Sequence, residues 1–224
     1  MQEPRAPGQD QRRRYALLLG AIVVVFWIEG ISEPSAFEQV AVSVLLGATL
    51  LFALWAAQAR PSVMRGVAIV VAAIVVASVA EAAAGNVDAA ATRLMNAALV
   101  ALAPLAVVVG VVRTLRARQA VTLEAVFGVI SVYLLLGMFF AFLYESIDRL
   151  GEGSFFAGGQ PATASHCLYY SFTTLATVGY GDFTASSNLG HTISVFEALV
   201  GQIYLVTVVA LIVANLGRSR PVRR

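Results

Sequence analysis

The stretch Thr174-Leu175-Ala176-Thr177-Val178-Gly179-Tyr180-Gly181-Asp182 lies between two long apolar segments, residues 123–147 and 189–216. The moderately apolar run just before it, residues 165–176, would span only about 18 Å as a helix, whereas a membrane-crossing helix needs about 20 residues. The pattern therefore predicts a half-helix that enters the membrane and stops, capped by Thr163 or Ser165. Irregular backbone at that depth is tolerated only inside protein or beside water.

Composition places the whole chain in a membrane. Hydrophobic residues make up 59% of the 224 positions and charged residues only 12%, with a mean hydropathy of +0.81, whereas soluble domains carry about 25% charged residues. The segments expected to cross the membrane are 15–31, 37–59, 63–84, 94–112, 123–147 and 189–216. The sequence thus predicts an all-α membrane protein with six transmembrane helices and a re-entrant half-helix.

Basic residues occur in every other connection, which predicts the orientation of the chain. They are Arg12, Arg13 and Arg14, then Arg60 and Arg65, then Arg113, Arg116 and Arg118, and finally Arg218, Arg220, Arg223 and Arg224. Among the alternate connections, which hold Glu33, Glu38 and Asp88, Arg93 is a basic exception. Because Lys and Arg mark the cytoplasmic side, both termini are expected in the cytoplasm, with residues 148–188 outside and the protein in the plasma (inner) membrane. A basic start before a short apolar segment is also typical of a secretory signal, so cleavage of the first segment stays open.

The residue types around Gly179 suit the binding of a dehydrated cation. Backbone carbonyls offer partial negative charge without trapping the ion, and aiming successive carbonyls inward requires alternating left- and right-handed backbone. Gly179 and Gly181 reach positive φ at no steric cost. The sequence of residues 177–182, here named the TVGYGD segment, resembles the signature of the potassium channel family, in which carbonyl oxygens of four such loops replace the hydration shell of the ion.

This resemblance, which covers about residues 123–216, implies a four-fold homotetrameric pore that is selective for potassium. The residues that it implies as K⁺ ligands through their carbonyls are Thr177, Val178, Gly179 and Tyr180, and the Thr177 hydroxyl would complete the innermost site. The dipole of the half-helix would favour a cation in a central cavity. No cofactor is expected besides K⁺ as the permeant ion.

Several neighbours are expected to support the TVGYGD segment, together with its own Gly181 and Asp182. The Tyr180 ring would point away from the pore and pack against Tyr169 and Tyr170. Thr173 stands where some bacterial relatives carry an acid that bonds the aspartate of the segment, and this departure leaves the support of Asp182 open.

A carboxylate as deep in a span as Glu197 should find a partner or face water. It either holds the segment from behind or lies near the outer water.

The last span carries the candidate hinge, cavity and gate. Gly201 stands where the family often bends its inner helix, and a hinge or close packing against the fifth span are both open. Gln202 and Thr207 are candidates for a wet cavity. An apolar stripe of Leu205, Val209 and Val213 is the candidate inner gate.

The first four spans resemble no voltage sensor. A sensor carries arginines at every third position through its fourth helix, but residues 94–112 contain no charge. The basic residues that follow are explained by topology. His166 and His191 have no acidic or thiol partner at ligand spacing, so no metal site is expected there.

These patterns divide the chain into a basic N-terminus (1–14), a four-helix domain (15–118), a pore domain (119–217) and a basic tail (218–224). The pore domain is expected to hold an outer helix (122–148), a half-helix (164–176), a filter (177–182) and an inner helix (189–216).

The leading prediction for the function is passive, potassium-selective conduction. A poorly selective cation channel and a non-conducting regulatory subunit stay open, and a membrane transporter or enzyme is a distant alternative. No helix carries paired carboxylates or a nucleophile with a base, so neither catalytic residues nor an enzyme are expected. The expected partners are copies of the chain and membrane lipids, anionic ones at the cytoplasmic face, and no nucleic acid.

Overall fold

A computed structural model describes residues 7–31, 35–57, 59–85, 91–92, 94–104, 106, 123–151 and 153–218. The helices are α1 (Pro7–Ile31), α2 (Ala36–Ala56), α3 (Pro61–Ala83), α4 (Leu94–Pro104), α5 (Leu123–Leu150), α6 (Ala164–Leu175) and α7 (Asn188–Arg218). The loop between α5 and α6 also holds a short 3₁₀ turn, Ala157–Gly159. Apart from one isolated β-bridge, the regular structure in this part of the chain is helical, as predicted.

Four helices in the described ranges are long and apolar enough to cross a membrane. They are Arg13–Ile31, Pro61–Ala83, Val126–Leu150 and Asn188–Val208, and shorter apolar helices cover Gln39–Trp55 and Leu94–Pro104. The fourth predicted span continues into residues 107–112, which lie outside the described part, as do Arg113, Arg116, Arg118 and the tail from 219 onward. A total of six spans therefore stays a prediction.

The buried face of α1 follows helical spacing. Tyr15, Leu18, Ile22 and Val25 are almost fully buried, and their three- and four-residue intervals place them on one side of the helix. This side packs against α5 and α6 as well as α2. Helix α1 therefore connects the N-terminal helices with the region around the TVGYGD segment.

Helices α2, α3 and α4 share a buried cluster of polar side chains. Ser43 Oγ lies 3.0 Å from Asn96 Oδ1 and 3.3 Å from Ser78 Oγ, and Gln39 Nε2 donates to Thr92 Oγ1 at 3.1 Å. All five side chains are at most 2% exposed. In a membrane, hydrogen bonds of this kind hold helices together where the hydrophobic effect cannot.

Helix α3 lies at the edge of the described structure. It packs against α2 through a face that buries only Val71 and Ser78. Its other apolar side chains, such as Ile69 and Val76, point outward. An outward apolar surface of this kind is typical of a membrane-spanning helix.

Candidate functional site

Helix α6 lies where the sequence predicted a half-helix. Thr163 caps its start, because its Oγ1 accepts a hydrogen bond from the His166 amide at 3.2 Å. The helix runs over the twelve residues Ala164–Leu175. It therefore ends directly before the TVGYGD segment, within one residue of the predicted boundary.

The end of α6 is closed by the first residues of the TVGYGD segment itself. The Thr177 amide donates to the Thr174 carbonyl at 2.9 Å, and the Val178 amide donates to the Thr173 carbonyl at 2.8 Å. This pair of bonds is the Schellman motif, whose C′ residue normally has a left-handed conformation and is usually glycine. Here that residue is Thr177, with φ 56°.

Left-handed backbone alternates along the TVGYGD segment. Thr177, Gly179 and Gly181 have φ values of 56°, 55° and 79°. Positive φ at the two glycines agrees with the expectation from the sequence, but positive φ at Thr177 was not expected. A β-branched residue in this region is a genuine outlier, and left-handed backbone costs a non-glycine residue roughly 1–2 kcal/mol.

Tyr169 supports the TVGYGD segment from α6. Its ring stacks on the Tyr180 ring, with centroids 6.3 Å apart and planes within 9° of each other. Its hydroxyl donates to Asp182 Oδ2 at 2.8 Å, and this bond to Asp182, together with partial burial and the nearby charge, raises the pKa of the Tyr169 phenol. Asp182 is thus held by Tyr169, and not from position 173.

Within one chain, Tyr170 lies against Tyr144, Phe156 and Ser194. Within the chain it does not stack on Tyr180, because adjacent residues of a helix point about 100° apart. Its ring lies 5.2 Å from the Tyr144 ring and 5.4 Å from the Phe156 ring, and its hydroxyl lies 2.7 Å from Ser194 Oγ. Tyr170 therefore connects α6 with α5, with the α5–α6 loop and with α7.

Thr173 supports the segment through its backbone. Its carbonyl oxygen accepts from the Val178 amide and also from the Gly179 amide, at 2.8 and 3.2 Å. Its hydroxyl donates to the Tyr170 carbonyl at 3.0 Å. The backbone at position 173 thus holds two amides of the segment, independently of the side chain there.

Glu197 lies behind α6 and is fully buried. Its Oε2 accepts from the Tyr144 hydroxyl at 2.5 Å, and its Oε1 lies 2.5 Å from Ser171 Oγ, which is also 2.7 Å from the Gly137 carbonyl oxygen. Of the two possibilities for this carboxylate, the structure favours the supporting contact over proximity to water. One side chain from α7 thereby connects α5 and α6.

Three hydroxyl groups in this cluster were not singled out in the sequence. They belong to Tyr144, Ser171 and Ser194. A signal existed, because a buried glutamate in a span requires donors and these hydroxyls interrupt otherwise apolar runs. The sequence could not say which of several hydroxyls would lie beside Glu197.

Gly201 lets α7 approach α6 closely. A side chain at this position would collide with the Leu175 carbonyl oxygen and lie 2.9 Å from Leu175 Cδ1. The expected packing partner was the fifth span, and the structure gives the end of α6 instead. Contact with α5 is made three residues later, where the Tyr204 hydroxyl donates to the Val129 carbonyl at 2.6 Å.

The remaining candidates on α7 are not brought into a site within one chain. Gln202, Leu205 and Thr207 are exposed on its surface. The side chains of Val209 and Val213 lie outside the described residues, so the cavity and gate assignments stay predictions.

The loop between α5 and α6 is folded onto the chain that follows the TVGYGD segment. The Ala157 amide donates to the Thr184 carbonyl and the Ser186 amide to the Phe155 carbonyl, both at 2.8 Å. His166 Nδ1 lies 2.7 Å from the Pro161 carbonyl oxygen. Over the described residues, no group of three or more His, Cys, Asp or Glu side chains is placed to hold a metal ion.

Comparison with known proteins finds a similarity in this region. Residues 128–218 match the model of a family described as ion channels. The match begins within α5, ends with α7 and includes the TVGYGD segment, while α1–α4 lie outside it, so that it covers less than half of the chain. No curated protein and no solved structure matches the chain.

Proposed function

We propose that the protein is a subunit of a homotetrameric channel that conducts K⁺ selectively and passively. The observation that carries this proposal is the alternation of left-handed backbone at Thr177, Gly179 and Gly181, directly after a half-helix, inside a region that matches ion channels. Alternation of this kind turns successive carbonyls toward one side. A dehydrated K⁺ ion requires such a column of oxygens.

The proposed ligands are the backbone carbonyls of Thr177, Val178, Gly179 and Tyr180, with the Thr177 hydroxyl at the innermost site. The proposed ligand role of the hydroxyl would explain why position 177 is a threonine, although its left-handed backbone favours glycine. Strained residues of this kind persist where the surrounding structure holds them, and they cluster at functional sites. The negative end of the α6 dipole would favour a cation beyond the segment.

The tetramer is proposed because one chain supplies one TVGYGD segment, and four are needed to surround an ion. In the single chain, Val178 is 50% exposed and Tyr180 is 72% exposed. Phe196 and Ile203 on α7 are also largely exposed. Contact with neighbouring copies would cover these side chains.

The proposed setting is the plasma (inner) membrane, with both termini in the cytoplasm and the α5–α6 loop outside. The basic tail would contact anionic lipid. A poorly selective channel and a non-conducting subunit are the alternatives, and the intact TVGYGD sequence favours neither. A transporter or enzyme has less support, since the matched region is described as an ion channel.

The test is ion flux from liposomes that contain the purified protein. We expect K⁺ efflux to exceed Na⁺ efflux by a wide margin and barium to block it, because Ba²⁺ is similar in size to K⁺ but carries twice the charge. Crosslinking of the same preparation is expected to yield tetramers. Empty liposomes are the control. Equal Na⁺ and K⁺ flux would contradict selectivity, and the absence of any flux would favour the non-conducting alternative.

A further inference from the structure

Helix α1 reaches the back of the proposed pore within its own chain. It packs against both α5 and α6, although it lies outside the region that matches ion channels. A methyl group added at Gly30 of α1 would lie 3.6 Å from Leu168 Cδ2 of α6. The two helices are therefore separated at this point by no more than the width of a methyl group.

Phe26 makes an aromatic contact across this boundary. Its ring meets the Phe172 ring of α6 edge to face, with centroids 5.1 Å apart and an angle of 88° between the planes. Phe172 also meets the Tyr133 ring of α5 at 6.5 Å, and it fills the space that a side chain at Gly137 would need. Phe172 is thus held between α1 and α5.

Phe172 directly precedes the residue on which the TVGYGD segment depends. The Thr173 carbonyl accepts the amides of Val178 and Gly179. Because Phe172 and Thr173 are neighbours in one helical turn, the contacts that hold Phe172 between α1 and α5 also limit how far this turn of α6 can shift. A shift of the turn would carry with it the Thr173 carbonyl and the two amides that this carbonyl accepts.

We propose that α1 is a positioning element of the pore, in which Phe26 holds Phe172 against α5 and thereby fixes the Thr173 carbonyl beneath the TVGYGD segment. This inference rests on the proposed function. Helix α2 packs on α1. The contact between Phe26 and Phe172 thus transmits a displacement of the N-terminal helices to the TVGYGD segment, and this changes the ion flux. The contact gives α1–α4 a route to the segment that involves no movement of charge through the membrane.

The test compares Phe26→Leu, which removes the ring, with Trp27→Ala at the next position, where the side chain is 59% exposed and lies on another face of α1. K⁺ and Na⁺ efflux are measured from liposomes and expressed per crosslinked oligomer. An edge-to-face pair raises the population of the contacting arrangement, relative to the separated one, by roughly two- to tenfold. We expect the K⁺ to Na⁺ flux ratio of Phe26→Leu to fall by about that factor, while Trp27→Ala keeps the wild-type ratio.

Two further variants separate positioning from general destabilisation. Phe26→Tyr keeps the ring and should retain the wild-type ratio. The double variant Phe26→Leu with Phe172→Leu should be no worse than Phe172→Leu alone, because the contact is already lost. If Phe26→Leu yields no assembled protein, Phe26→Met is judged by the same measurements.

A wild-type flux ratio in Phe26→Leu overturns this inference. Loss of assembly with unchanged flux per oligomer overturns it too, because α1 would then serve folding alone. Failure of the proposed function has a different outcome, in which the wild-type protein itself does not distinguish K⁺ from Na⁺.

Discussion

The region around the TVGYGD segment and the region of α2–α4 both bury polar side chains, but in different surroundings. Beside the segment, Glu197 and Ser171 lie behind backbone that includes a threonine in the left-handed region. In α2–α4, Ser43 and Asn96 connect only regular helices. A buried polar cluster thus indicates close helix packing in a membrane. Strained backbone beside such a cluster is what indicates a functional site.

The largest expected effect comes from Gly179→Ala. Position 179 has φ 55°, so a side chain there costs roughly 1–2 kcal/mol in each subunit and reorients the carbonyls that would bind K⁺. We expect selective K⁺ efflux from liposomes to be abolished.

Gly20→Ala in α1 is the matched control for this substitution. A methyl group at position 20 meets nothing within 4 Å, and alanine favours a helix by up to about 1 kcal/mol. Flux in this control should be unchanged. Normal currents in Gly179→Ala would refute the assignment of the ion sites, and an equal loss in both variants would show that the loss does not depend on the left-handed backbone at position 179.

An intermediate effect is expected from Glu197→Leu. Leucine removes the close acceptor of the buried Tyr144 hydroxyl and leaves it only Ser194 Oγ at 3.5 Å, and a poorly satisfied buried group costs up to about 1–3 kcal/mol. Because this cluster also holds α6, both the thermal stability of the oligomer and the K⁺ flux per oligomer should fall.

Ser43→Ala supplies the comparison from the other region. It removes a buried hydroxyl that contacts Asn96 and Ser78, so stability should fall while K⁺ flux per oligomer stays the same. Thermal melting in detergent and liposome flux measure the two quantities separately. If Ser43→Ala reduced K⁺ flux per oligomer as much as Glu197→Leu, the two polar clusters would have the same importance for conduction.

The smallest effect is expected from Tyr169→Phe. This change removes the bond to Asp182 but keeps the ring stacked on Tyr180, and water can replace the bond at an exposed site. The neutral phenol is the donor and its pKa is raised from the ordinary value of 10.0. The bond is therefore fully present below pH 10 and is lost only as pH rises through the higher value in the folded protein.

At neutral pH we expect a slight fall in K⁺ flux for Tyr169→Phe. Above pH 10, flux in the wild type should decline toward the level of the variant, provided that liposomes without protein stay tight. A complete loss of flux in Tyr169→Phe at neutral pH would show that the hydroxyl does more than support Asp182.

The sequence predicted elements whose residue types permit few conformations. The half-helix was recognisable because an apolar run too short to cross a bilayer stands before two glycines, and Thr163 was recognisable as its cap. Positive φ at Gly179 and Gly181 followed from the need to orient carbonyls. These are local properties, and local properties can be read from a chain one segment at a time.

What the sequence could not supply depends on packing between distant segments. The left-handed Thr177 is imposed by the end of α6 and contradicts the preference of its own side chain. Tyr169 and Tyr170 look interchangeable in sequence, and only the direction of each side chain on α6 separates their roles. The contact of Phe26 with Phe172 has no local signal, because apolar spans rich in similar residues fit many neighbours.

The packing of α1 on α5 and α6 also has a consequence for the order of events during synthesis. Helix α1 is synthesised before α5 and α6, so its buried face lacks these partners when α1 first reaches the membrane. Until α5 and α6 follow, its buried side chains, Glu29 among them, face lipid or a temporary partner, and a carboxylate there is costly. Contacts between such distant parts of a chain form slowly. The nascent chain therefore passes through a stage in which α1 is inserted but not yet packed against α5 and α6.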